Sequence, residues 1–100
     1  MLVKLCDKKI LVSGEPKAFK IKGYEVFAIR IDDKIFCLDA RCTHAGAPLA
    51  EGTLNGEVLT CPWHYSRFNI STGEVLMGPS EKNLRTYRVE EKDNSVFIDL

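Results

Sequence analysis

Two short segments of the chain, Cys42-Thr43-His44 and Cys61-Pro62-Trp63-His64, each carry one thiol and one imidazole, and sixteen residues separate His44 from Cys61. Thiolate sulfur is a soft ligand and imidazole nitrogen a borderline one, a mixture that suits iron-sulfur clusters or zinc. His44 and His64 are the only histidines in the sequence, and each lies within three positions of a cysteine. The pattern predicts a metal centre with two chemically different ends.

Spacing separates one ion from two. A structural zinc ion is usually held by cysteine paired with cysteine and histidine paired with histidine, at intervals that curl the chain around one point. Neither pairing occurs here, and the single residue between Cys42 and His44 makes a tight mixed pair. Two adjacent irons fit such pairs better. If each loop gives its thiol to one iron and its imidazole to the other, the product is a [2Fe-2S] cluster with a two-cysteine end and a two-histidine end.

The likeness extends beyond the four donors, through Ala45-Gly46-Ala47-Pro48-Leu49, Tyr65-Ser66-Arg67-Phe68, Ser71-Thr72-Gly73-Glu74 and Gly78-Pro79. With these residues the middle of the chain closely resembles the Rieske ferredoxin family, whose known ligation is this two-cysteine, two-histidine arrangement. The resemblance implies one [2Fe-2S] cluster with Cys42, His44, Cys61 and His64 as its ligands. A colourless structural zinc module for protein interaction remains the contrasting reading.

One hundred residues with 45% hydrophobic content make one domain with its own core, too short for a Rieske module joined to a catalytic iron domain. Fourteen basic and fourteen acidic residues cancel, and no basic run favours nucleic acid. The segment Met1 to Lys9 lacks the apolar stretch of a signal peptide or membrane anchor. A soluble, cytoplasmic protein without a membrane partner is expected, with a monomer as its state. Cys6 and Cys37, left over once two thiols are assigned to metal, read as reduced, buried small hydrophobes.

The elements that must position the loops show a period of two. Tyr24 to Ile31 and Lys34 to Ala40, split by Asp32-Asp33, predict a hairpin, as do Leu84 to Glu90 and Ser95 to Leu100 around Glu91 to Asn94. Shorter runs at 57–60, 67–70 and 74–77 alternate with turns, and no window carries a helical stripe. The expected class is all-β. The resemblance implies a Rieske iron-sulfur fold: an antiparallel β base domain of residues 1–39 and 80–100, with a small cluster-binding subdomain, residues 40–79, inserted between its strands.

Ligand charge predicts the redox range. Two thiolates and two neutral imidazoles leave the oxidised unit uncharged, so an electron adds more easily than to a four-thiolate cluster, at about −150 to +300 mV rather than about −400 mV. High-potential members of the family tie the ligand loops with a disulfide and place a serine and a tyrosine after the last histidine. Here Ala47 and Trp63 stand in the regions of the disulfide, Ser66 matches the serine, and Phe68 replaces the tyrosine, which implies the lower half of the range. Gly78-Pro79 resembles the family's proline loop over the cluster. Trp63 is expected to pack. Tyr65 is the candidate for docking beside His44 and His64, the expected points of electron entry and exit, and Arg41 and Arg67 are solvated charges that could steer an acidic partner.

No nucleophile with a base, paired carboxylate or phosphate loop is present, so the chain reads as an electron carrier rather than an enzyme. By resemblance it relays single electrons from a flavin-containing NAD(P)H reductase to a terminal Rieske oxygenase. The alternative is the small subunit of an assimilatory nitrite reductase, where retention of all four ligand positions counts against it.

Overall fold

The computed structural model describes residues 1–100. Its strands are β1 (Leu2–Asp7), β2 (Lys17–Ile21), β3 (Tyr24–Ile31), β4 (Lys34–Asp39), β5 (Thr53–Asn55), β6 (Val58–Thr60), β7 (Arg67–Asn69), β8 (Val75–Met77), β9 (Thr86–Tyr87), β10 (Val89–Lys92) and β11 (Ser95–Asp99). Two single 3-10 turns, Lys8–Ile10 and Leu49–Glu51, are the only helical elements. No helix is long and apolar enough to cross a membrane. Strand orders are β1-β11-β10, β2-β3-β4-β9 and β5-β6-β7-β8 in three sheets, and every strand pair is antiparallel.

The middle sheet is covered on both faces, which explains why β3 carries four consecutive fully buried residues, Val26 to Ile29. Alternation sends them in opposite directions. Phe27 and Ile29, with Leu38 of β4, join a core that contains Cys42 and Cys61. Val26 and Cys37 pack instead with Ile98 of the β1-β11-β10 sheet, and Ala28 and Ile35 with Val96. A one-residue slip in β3 would therefore exchange the two cores.

Turn chemistry sets that register. Lys22-Gly23 and Asp93-Asn94 close two-residue hairpin loops with both central residues at positive φ, the twist that suits right-handed strands. Asp32-Asp33 closes the predicted β3-β4 hairpin in register from Ile31 against Lys34 to Val26 against Asp39. The turn of the last hairpin is shorter than the expected 91–94. The continuous strand expected over Leu84 to Glu90 is broken: Thr86 and Tyr87 pair with β4, whereas Val89 to Lys92 pair with β11. Tyr87 causes the switch, since it is buried with Cys37 and donates a 2.6 Å hydrogen bond to Asp39. The strands β1, β2 and β5 have no counterpart in the sequence reading.

Gly73 marks a tight contact between the β7-β8 turn and the segment that leads into β9. It has φ +77°, its carbonyl accepts the Leu84 N–H at 2.7 Å, and an added Cβ would lie 2.2 Å from the Leu84 carbonyl oxygen. A backbone atom cannot step aside as a flexible side chain would. Gly73→Ala is expected to cost about 2–3 kcal/mol, or about 10–20 °C of thermal midpoint for a chain this size. Gly14→Ala, with φ +84° and nothing within 4 Å of the new Cβ, is the control in the same melts and should fall by much less.

Candidate metal centre

The two ligand loops share a backbone design. In the first, the Cys42 N–H donates to the Ala47 carbonyl at 2.9 Å; in the second, the Cys61 N–H donates to the Ser66 carbonyl at 2.7 Å. Each bond spans five residues, and each loop reverses through a left-handed residue four places after its cysteine, Gly46 at φ +73° and Tyr65 at φ +64°. Glycine adopts that conformation freely, whereas tyrosine is strained by about 1 kcal/mol or more. The first loop is further held by Arg41, which donates to Glu25 of β3 at 2.6 Å and to the Gly46 carbonyl at 3.1 Å. The Thr43 hydroxyl donates to the Lys82 carbonyl at 2.6 Å.

These loops sort the four donors by type. Cys42 and Cys61 are buried in the same core as Phe68 and Leu59, while His44 and His64 are exposed and meet edge to face, with ring centroids 5.0 Å apart. Thiol lies near thiol beneath the surface, and imidazole near imidazole upon it. No group of three or more His, Cys, Asp or Glu gathers as a site for a single ion.

The sulfur pair sits among hydrogen-bond donors. Burial pushes the Cys42 thiol up, but the Ser80 hydroxyl, the His44 amide, the Cys61 thiol and the Ala45 amide outweigh it, and its ionisation falls below the ordinary thiol range. Cys61 is held above that range, first by burial and also by the neighbouring Cys42, despite the Trp63 and His64 amides. A site that eases the ionisation of one thiol and aims backbone amides at both favours thiolate coordination. Soft donors below and borderline donors above fit a [2Fe-2S] unit bound through different atoms at its two ends.

The surrounding residues correct several expectations. Trp63, expected to pack, is 53% exposed, because the reversal after Cys61 turns its side chain outward. Arg41 is no free charge, since Glu25 pairs with it; Arg67 is exposed. Ser66 is completely buried, and its hydroxyl accepts the Ser80 N–H at 2.9 Å. Phe68 is completely buried in the core that also contains Cys42 and Cys61. Gly78-Pro79, joined by a cis peptide bond, is exposed directly before Ser80. Ser80 itself escaped the sequence reading; it lies 38 positions from Cys42, and only the fold brings its hydroxyl to 3.1 Å from that sulfur. Cys6 and Cys37 are both free and buried, as expected.

Fold and site together define a small iron-sulfur electron-transfer domain. Residues 1–88 match the Rieske [2Fe-2S] domain, and the chain belongs to that family. It is 32% identical over 90 residues to the ferredoxin component of the naphthalene 1,2-dioxygenase system of Pseudomonas putida, covering 90% of this chain and 86% of the relative. Among solved structures, the ferredoxin of carbazole 1,9a-dioxygenase from Nocardioides aromaticivorans IC177 superposes with a TM-score of 0.92 at 29% identity, covering 98% of this chain and 96% of that one. A chain from the complex of reduced oxygenase and oxidized ferredoxin in carbazole 1,9a-dioxygenase superposes with a TM-score of 0.90 at 31% identity, over 97% and 91% of the two chains. The protein is accordingly an electron-transfer component with one [2Fe-2S] cluster rather than a catalyst in its own right.

Proposed function

We propose that Cys42 and Cys61 bind one iron of the cluster and His44 and His64 the other, and that the protein relays single electrons from a flavin-containing NAD(P)H reductase to a terminal Rieske oxygenase. The observation that carries this reading is the sorting of the donors, with a buried thiol pair beneath an exposed pair of imidazoles 5.0 Å apart at their centroids. Bound there, a [2Fe-2S] cluster supplies one-electron chemistry. The cysteines fix its inner end in a water-poor core. The histidines offer the shortest route between cluster and partner, because nothing but imidazole separates that end from the surface.

The rim is apolar on one side. Tyr65 is 68% exposed and Trp63 53%, flanking His64 in sequence. An aromatic held at positive φ forgoes both backbone ease and burial, which favours a role in contact with another protein. Tyr65 serves here as a docking contact. Residues 40–79 form the cluster-binding subdomain, inserted between base segments 1–39 and 80–100, and Gly78-Pro79 covers one side of the site. The expected setting is the cytoplasm, with the protein acting as a monomer.

Purified protein should be reddish-brown and contain two irons and two acid-labile sulfides per chain. Mixed in a stopped flow with NADH and a flavoprotein reductase of a Rieske dioxygenase system, it should bleach by one electron and then reoxidise when the oxygenase is added. Failure to reduce with any such reductase would sink the relay, and a single zinc in colourless protein would sink the cluster assignment.

A further inference from the structure

Phe68 has no hydroxyl to offer the cluster ligands, yet the Cys42 sulfur is not without a side-chain donor. The Ser80 Oγ lies 3.1 Å from Cys42 Sγ, and both residues are buried. A coordinated cysteine is a thiolate without a proton, so in this pair the serine must donate. The Ser80 backbone is fixed independently of that bond, because its N–H donates to the Ser66 hydroxyl at 2.9 Å. Ser66, in turn, accepts the Cys61 N–H through its carbonyl. A continuous relay therefore runs from the second ligand loop through Ser66 to Ser80 and ends on the sulfur of the first.

We propose that the Ser80 hydroxyl is the side-chain donor that sets the reduction potential of this protein, acting on the Cys42 sulfur from the segment after Gly78-Pro79, and that Ser66 acts as the residue positioning it. The inference rests on the reading of Cys42 as a cluster ligand. Reduction adds negative charge to a unit shared between iron and sulfur, so a donor aimed at that sulfur is bound more strongly after reduction than before. In a buried pair water cannot replace the lost bond. The hydroxyl consequently raises the potential, and its removal lowers it.

The serine-to-alanine change separates donation from packing. Ser80→Ala keeps the backbone N–H and its bond to Ser66, so the segment stays anchored while only the hydroxyl is lost. Wild-type protein is assayed first; absence of two irons and two sulfides there overturns the cluster reading itself. In loaded Ser80→Ala protein, protein-film voltammetry should show the equilibrium constant for reduction down about tenfold, which is about 59 mV for a one-electron couple, with a shifted sulfur-to-iron charge-transfer band. Ser66→Ala should lower the potential in the same direction by freeing the Ser80 amide. Loaded Ser80→Ala with an unchanged potential overturns the assignment while leaving the cluster ligands intact. If that variant does not load, Ser80→Cys, similar in size but with a weak S–H donor, takes its place: a smaller fall supports the proposal and no fall overturns it.

Discussion

A Cys61→Ala chain is expected to be colourless and to carry neither iron nor sulfide, whereas Cys37→Ala should keep the full cluster. Both thiols are almost entirely buried and both substitutions remove one sulfur from a core, so packing loss alone would make them alike. What separates them is the direction in which each faces. Cys61 shares one core with Cys42, Phe27 and Leu38 and receives the Trp63 and His64 amides. Cys37 points to the other face of the middle sheet, among Val26, Tyr87 and Ile98. There burial, with Asp39 adding its charge, pushes the Cys37 thiol up to about 12, and the pocket that holds it is shared with neither ligand loop. The Cys37 variant loses only a small apolar group, about 1 kcal/mol. Alanine at 61 also deprives the protein of the binding free energy that a metal adds to its folded form. Iron and sulfide analysis with a visible spectrum checks both variants at once. Two irons retained in Cys61→Ala would refute the ligand assignment.

How much of this was legible in sequence follows from which contacts are local. The four donors stood out because each pair is separated by at most two residues, and loop reversals of that size are written in adjacent residues such as Gly46. The β3-β4 hairpin is legible because Tyr24 to Ile31 is rich in aromatic and β-branched residues and Asp32-Asp33 interrupts it before Lys34, although burial of Val26 to Ile29 on both faces departs from the expected alternation. By contrast, β1 alternates half-exposed and exposed residues up to Cys6, and its partner β11 lies at the opposite end of the chain. β9 is two residues long, and its separation from β10 depends on where Tyr87 finds Asp39. Nothing within Leu84 to Glu90 announces that break.

The side chains around the sulfurs divide in the same way. The missing hydroxyl at Phe68 is legible in sequence because its position is counted from His64, four residues away. The role of Ser80 is not, because the distance that matters is across space to Cys42 and is set by a bond to Ser66. Trp63 misled for a different reason. Its large apolar surface favours burial, but the loop that gives Cys61 and His64 to the centre fixes the direction of the residue between them. The requirement for ligand geometry outweighs the hydrophobic gain of one side chain, roughly 1.5–3 kcal/mol.

That coupling of ligand geometry to core packing predicts that Phe68→Ala is a cluster-stability variant as well as a folding variant. Phe68 is completely buried at the centre of the third sheet, paired with Leu59 of β6 and Val75 of β8, and it belongs to the core that holds both ligand cysteines. Truncation opens a cavity in the core shared with the sulfurs and should cost about 3–5 kcal/mol, a large share of the roughly 5–15 kcal/mol that stabilises a domain. The bleaching midpoint in a thermal ramp should fall by about 12–30 °C. Release of iron to a chelator at fixed temperature should accelerate, because opening of the loops then requires less energy. Phe68→Leu fills most of the space and should lose much less on both scales. If Phe68→Ala melted lower but released iron at the wild-type rate, the third sheet and the ligand loops would be independent units, and the shared core would not be what holds the sulfurs in place.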